Sequence, residues 1–231
     1  MKFGGLTKLT LLDYPEKVAC TVFTIGCNFR CPFCHNAGLV CGTNYENLSE
    51  QDVLEFLQKR SSVLEGMCLT GGEPLLQQGV EEFLHKVKAL GYSVKLDTNG
   101  TFPDRLQALI EAGLVDYVAM DVKNSRGAYA QTAGCGNLDV NDVCRSVELL
   151  KSGVVPYEFR TTVTGNYHTD ESMEEMGKWL TGCDKLYLQK FVDSGDLIDG
   201  NTVGCSDDTL RRYQRILQQY VPNTFLRGVD A

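Results

Sequence analysis

The sequence predicts an α/β protein built on parallel strands, and three observations carry that prediction. Strand-like and helix-like stretches alternate about six times along the 231 residues. No Ser/Pro-rich linker or composition shift interrupts the series. The strand-like runs favour β-branched residues, whereas the stretches between them keep helical apolar spacing. Such alternation implies right-handed βαβ crossovers. Two closures fit, an open doubly wound sheet or a barrel with fewer than eight units, and in either the reactive groups belong at the carboxyl ends of the strands.

Each element has its own local reason. Residues 18–25 (VACTVFTI) form an apolar run suited to a buried strand. Ser49, with Asp52 three residues on, is an N-cap signal for a helix with Val53, Leu54 and Leu57 on one face. Residues 66–70 make a short strand running into a glycine pair. Val80, Phe83, Leu84, Val87 and Leu90 keep helical spacing until Gly91, and residues 92–96 are strand-like. Pro103 opens the next helix, with Leu106, Leu109 and Ile110 inward and Gly113 as its stop. A strand follows at 115–120, then a helix marked by Val143, Val147 and Leu150, and a strand at 155–163. Met173, Met176 and Leu180 mark a further helix, 186–188 a short strand, and Leu210, Tyr213 and Leu217 a last helix.

Composition narrows the function. With 22 Lys+Arg against 30 Asp+Glu the net charge is −8, which argues against nucleic acid as a partner. Nowhere do 18 apolar residues run together, and Met1 to Thr10 lacks a signal-peptide core, so a cytoplasmic protein with no membrane partner is expected. Thiols are kept reduced there, so ten cysteines read as metal ligands, reactive groups or small core residues rather than disulfides.

Three of those thiols lie together at the end of the first strand. Cys27, Cys31 and Cys34 are spaced C-x3-C-x2-C within a loop at about 26–36, among Asn28, Arg30, Phe33, His35 and Asn36. So tight a loop can wrap several sulfurs round one metal centre, iron in a cluster or zinc. Zinc would need a fourth ligand, for which Cys41 is better placed than His35. Three further motifs close successive strands: Gly71-Gly72-Glu73-Pro74, Asp97-Thr98-Asn99-Gly100, and Asp121-Val122-Lys123 with its acid and base on one face. Taken singly these read as a turn, a helix cap and a rim ion pair. Together they converge on one mouth.

These residues resemble the radical S-adenosylmethionine superfamily. Cys34-His35-Asn36, Leu12-Asp13-Tyr14-Pro15, the run 116–121 and Tyr157 to Val163 are similar to the anaerobic ribonucleoside-triphosphate reductase activating proteins, members of the glycyl radical enzyme activating family. Glu16 stands where that family has glycine. The resemblance implies a single radical SAM domain over 1–231, an incomplete (β/α)6-type TIM barrel, and no inserted ferredoxin-like segment. It also implies a 4Fe-4S cluster on Cys27, Cys31 and Cys34, the cysteines that carry catalysis, with S-adenosylmethionine on its fourth iron. Reductive cleavage of S-adenosylmethionine then yields a 5′-deoxyadenosyl radical that takes an α-hydrogen from a glycine of a partner enzyme.

The same resemblance assigns the cofactor contacts. Phe33 and His35 would lie beside the cofactor, with Gly71, Gly72 and Glu73 at the methionyl amino group and Lys123 at its carboxylate. Asp121 would meet the ribose or its surroundings, and Asp97 and Thr98 would adjoin them, at a monovalent cation. The implied partners are a glycyl radical enzyme, anaerobic ribonucleotide reductase first and pyruvate formate-lyase as an alternative, and a low-potential donor such as flavodoxin or ferredoxin. A small-molecule radical enzyme such as a 7-carboxy-7-deazaguanine synthase is the runner-up, and a structural zinc module the non-enzyme alternative.

The remaining polar and sulfur side chains get plainer readings. Cys20, Cys68, Cys135, Cys144, Cys183 and Cys205 are read as core or incidental thiols. Arg160, polar in a run suited to burial, is expected to point into the mouth or to form a buried ion pair. His168 and His85 are read as solvated, and Trp179, Met173 and Met176 as core. Gln189 and Phe191 occupy a last strand where related activators carry a ribose-contacting histidine, and no role is transferred to them.

Overall fold

A computed structural model describes residues 1–43, 45–193, 195 and 197–229. Its centre is a nine-stranded sheet ordered β3-β1-β2-β4-β5-β6-β7-β8-β9. The strands are β1 (Lys2–Thr10), β2 (Ala19–Thr24), β3 (Leu48–Ser49), β4 (Gly66–Gly71), β5 (Ser93–Thr98), β6 (Tyr117–Asp121), β7 (Tyr157–Val163), β8 (Leu186–Lys190) and β9 (Thr224–Arg227). From β2 onward every neighbouring pair is parallel. The parallel strands follow one another in chain order with no reversal, which decides between the two closures. A doubly wound sheet needs a switch point, whereas an unreversed series of right-handed crossovers curls as a barrel does. The sheet ends at β3 and β9 among the described residues, so the barrel is incomplete.

Eight α-helices are described: α1 (Ala37–Cys41), α2 (Glu50–Arg60), α3 (Val80–Ala89), α4 (Pro103–Glu111), α5 (Tyr129–Thr132), α6 (Val140–Lys151), α7 (Asp170–Leu180) and α8 (Asp207–Gln218). The capping signal at Ser49 is realised reciprocally, with the Asp52 N–H donating to Ser49 Oγ at 3.2 Å and the Ser49 N–H donating to Asp52 Oδ2 at 2.8 Å. None of the helices is long and apolar enough to cross a membrane, among the described residues.

Strand alternation divides apolar from polar. Val22, Leu69, Leu96, Val118, Met120 and Phe159 are fully buried and pack with Phe83, Leu84, Leu106, Val147 and Met176 of the helices. Trp179 lies against this core, half-buried. The residues between them in each strand face the barrel interior. Register places Cys68 opposite Lys95, Asp97 opposite Ala119, Asp121 opposite Arg160 and Thr162 opposite Gln189, so the inner face is mostly polar toward the carboxyl ends of the strands.

Three strands were not legible in the sequence: β1, the two-residue β3, and β9. β1 carries two consecutive glycines and little alternation, and it pairs antiparallel with β2 as an edge hairpin. β9 has only four residues, yet Arg227 anchors it. Its guanidinium donates to both oxygens of Glu158, at 3.0 and 3.1 Å, and its central carbon lies 3.6 Å from the Tyr187 ring centre. Glu158 is 2% exposed, and its other partner is the Tyr117 hydroxyl at 3.2 Å. Arg227→Ala should therefore strand a buried carboxylate and cost about 2 kcal/mol. In urea unfolding, the additional change Glu158→Gln should return part of the loss.

Candidate active site

The carboxyl ends of β2 and β4 to β8 surround a cavity of about 460 Å3. The cluster loop forms one wall, and Cys27, Cys31, Cys34, Phe33 and His35 all line it. The loop is held by its neighbours as well as by its own turn, in which the Cys34 N–H donates to the Cys31 carbonyl at 3.0 Å. The Arg30 N–H donates to the Ala133 carbonyl just after α5, and the Asp199 N–H donates to the Pro32 carbonyl, both at 3.0 Å. Asn36 Nδ2 donates to the Gly71 carbonyl at 3.1 Å. His35 stacks on Phe191, just after β8, with ring centres 5.6 Å apart.

The three sulfurs have environments that suit ligation. Cys27 Sγ accepts the Phe29 N–H at 3.3 Å and Asn99 Nδ2 at 3.8 Å. Burial pushes the Cys27 thiol up to about 11 and the Cys31 thiol up to about 12, with Cys34 also raised, so all three are protonated at neutral pH until a metal displaces the protons. Among the described residues no three His, Cys, Asp or Glu side chains group round a single point as ligands of one ion would. Thiolates that each hold a different iron of a cluster need no such convergence, and a shared cavity is the space they require. Cys41, the fourth zinc ligand considered from sequence, is exposed on α1.

Gly71 and Gly72 border the cavity too, but their requirement for glycine comes from behind. A Cβ on Gly72 would sit 1.9 Å from the Gly26 carbonyl oxygen, and one on Gly71 2.5 Å from the Thr24 nitrogen. The glycine pair thus lets the β4 loop press against the start of the cluster loop. Glu73 departs from expectation, since it does not line the cavity. It is 1% exposed, and its carboxylate accepts the Leu75 N–H at 3.0 Å, Thr98 Oγ1–H at 2.8 Å and the Asn99 N–H at 2.7 Å. Burial pushes its carboxyl up to about 7 against those three donors. Here Glu73 ties the β4 loop to the end of β5.

The polar inner row forms the opposite wall. Arg160 donates through Nη1 to Asp97 Oδ2 at 3.0 Å and through Nε to Asp121 Oδ1 at 2.9 Å. Lys123 Nζ meets Asp121 Oδ2 at 2.9 Å, and Lys95 Nζ meets Asp97 Oδ1. Burial opposes both aspartates, yet Arg160 first and then the two lysines hold their carboxyls below the usual carboxylate range. Arg160 thus both faces the cavity and sits in an ion pair. Thr98 also lines the cavity, as do Asp13, Thr162 and Gln189, which sequence reasoning left unassigned. Asp13 is held by Thr21 Oγ1 at 2.5 Å. Asn99 was read only as turn chemistry, but its Nδ2 reaches Asn28 Oδ1 at 2.8 Å and so couples β5 to the cluster loop. Cys68 is buried as expected, though on this polar face, within 3.8 Å of Lys95 Nζ.

His168 corrects the reading of a solvated side chain. It is 3% exposed; its Nδ1 accepts the Thr164 N–H at 3.1 Å, which leaves Nε2–H to donate to the Lys123 carbonyl at 3.0 Å. Its own carbonyl accepts the Tyr213 hydroxyl at 2.8 Å. The loop after β7 thereby fixes the backbone that carries Lys123. His85 is exposed on α3, as read.

Comparisons with known proteins agree on the family. The radical SAM superfamily model matches residues 21–180. A Methanocaldococcus jannaschii protein named "Putative glycyl-radical enzyme activating enzyme" is 31% identical, the match covering 99% of this chain and 96% of that one. Among solved structures, Streptococcus suis SuiB bound to precursor peptide SuiA superposes with a TM-score of 0.70 at 14% identity, over 90% of this chain and 48% of that one. The chain thus spans about half the length of that structure. A domain of pyruvate-formate lyase-activating enzyme from Bacteroides vulgatus gives 0.57 at 14% identity, over 71% and 99%. At these identities the two structures speak to fold.

Burial lowers the His168 pKa, and that direction makes a prediction. The unfolded chain takes up a proton near pH 6.5 that the folded chain refuses until lower pH, so this histidine's contribution is intact above about 6.5 and is lost as pH falls. In urea unfolding, His168→Gln should lose less stability between pH 7.5 and 5.5 than the parent. Glu73 and His35 titrate in both proteins and drop out of the difference.

Proposed function

The chain belongs to the radical SAM superfamily, and from that premise we propose that it installs a glycyl radical on a partner enzyme, anaerobic ribonucleoside-triphosphate reductase first among the candidates. Membership makes it an enzyme that works with a 4Fe-4S cluster and S-adenosylmethionine. The observation that carries the proposal is the meeting of three thiols with the Asp121–Lys123 pair across one cavity in a barrel that does not close.

When bound, the cluster and S-adenosylmethionine supply a low-potential electron and a 5′-deoxyadenosyl radical. Cys27, Cys31 and Cys34 would hold the cluster, and the amide groups at Cys27 Sγ would favour its thiolate form. Lys123, kept charged by Asp121 and fixed through its carbonyl by His168, would meet the methionyl carboxylate. Glu73 has all its hydrogen bonds inside the protein, so the methionyl ammonium would be received by the carbonyl groups of the β4 loop that Glu73 holds in place. Phe33 and the stacked His35–Phe191 pair would exclude water from the reacting centre. An open-sided barrel suits a polypeptide substrate, since a glycine on a protruding loop can approach from the side. The 31% identical relative over nearly the whole chain supports the same reading.

Anaerobic incubation with S-adenosylmethionine, a flavodoxin or ferredoxin reductant and candidate glycyl radical enzymes tests it. A glycyl doublet in electron paramagnetic resonance with the ribonucleotide reductase, absent with Cys31→Ala, is the expected result. Cys31→Ala should retain the parent's far-UV circular dichroism while losing its iron and sulfide. Stoichiometric zinc without iron, or turnover of a free metabolite with no protein radical, would sink the proposal.

A further inference from the structure

Asp97 and Asp121 carry carboxylates on adjacent strands at the edge of one cavity, where sequence suggested a monovalent cation. Two ionised carboxylates in a desolvated site require a positive charge between them, or one takes up a proton. The structure shows which charge is present. All four carboxylate oxygens already touch protein cations: Asp97 Oδ1 meets Lys95, Asp97 Oδ2 and Asp121 Oδ1 meet Arg160, and Asp121 Oδ2 meets Lys123. Arg160 alone bridges the two acids. It reaches them because register sets it directly beside Asp121 on β7, with the fork of its guanidinium turned toward β5.

We propose that Arg160, backed by the buried Lys95, is a built-in counter-ion that takes the place of a dissociable monovalent cation between Asp97 and Asp121, so that cofactor binding is independent of potassium or sodium. A free ion occupies such a site according to its concentration, whereas a tethered guanidinium occupies it always and cannot deprotonate. Lys95 strengthens the arrangement from below. It is 2% exposed, with its ammonium group between Asp97 and Cys68. The inference rests on the reading that S-adenosylmethionine binds in this cavity, and its test separates the two.

The wild-type protein, loaded with its cluster, is titrated with S-adenosylmethionine in potassium, sodium or tetramethylammonium chloride at equal ionic strength. Dissociation constants agreeing within about twofold support the proposal, and a loss of about tenfold or more in tetramethylammonium overturns it. Arg160→Met leaves Asp97 Oδ2 and Asp121 Oδ1 facing one another with no cation between them. That variant should bind more weakly in tetramethylammonium and recover with potassium; a folded Arg160→Met indifferent to potassium overturns the proposal. Should Arg160→Met not fold, Arg160→Lys, whose point charge cannot span both acids, is held to the same criterion. The melting temperature of the S-adenosylmethionine-free protein provides a second readout, with potassium specifically raising that of the variant and not that of the wild type. A protein that binds no S-adenosylmethionine in any salt overturns the proposed function instead, while the melting temperatures still decide the counter-ion.

Discussion

Arg160 bridges two aspartates on adjacent strands, each of which has a lysine on its other oxygen, and the polar wall of the cavity is arranged round that contact. Remove the guanidinium and Asp97 Oδ2 faces Asp121 Oδ1 with no protein cation between them. With it, positive and negative groups alternate from Lys95 through Asp97, Arg160 and Asp121 to Lys123, across three strands. Each member is charged because its neighbours are. The inner row can therefore be polar while the outer row of the same strands is a dry apolar core, a division that two-residue alternation makes available to any strand.

The cluster loop depends on the same strand ends by a different route. Asn99 follows Thr98 at the end of β5, with its N–H on Glu73 and its side chain on Asn28 and Cys27. Gly72 presses against Gly26 at a distance no side chain would permit. The thiol wall and the charged wall are thus joined through backbone and amide contacts rather than through loops free to drift, and holding reacting groups within a fraction of an ångström is what such a site requires.

Much of this was legible in the sequence, for identifiable reasons. The alternation of strands and helices, the Ser49 cap and the stops at Gly91 and Gly113 are local signals, and local signals survive folding. The motifs at the strand ends were found because, taken together after successive strands, they resemble those of a known family. What could not be read were properties of pairs distant in sequence. Glu73 looked like a ligand for an ammonium because two of its partners, Thr98 and Asn99, become donors only when β4 and β5 lie side by side. His168 looked solvated because its flanking residues are polar, and the Lys123 carbonyl that claims it is 45 residues away. β1 and β9 were missed because one is glycine-broken and the other depends on an arginine whose acid lies 69 residues back.

The incompleteness of the barrel follows from the same residues. To close, β9 would have to pair with β1 or β3 at the other end of the sheet, but β1 is already flanked by β2 and, at its start, by β3. β9 meanwhile turns its arginine inward to Glu158. The row of cavity groups accordingly ends at Gln189 of β8 on one side and at the cluster loop on the other, with no ladder of hydrogen bonds joining the two ends among the described residues. A closed barrel admits what can enter its mouth from above. Under the proposed function, a substrate that is itself a loop of another protein would use the side where the sheet's two ends are not paired, because it must both enter and leave as a continuous chain.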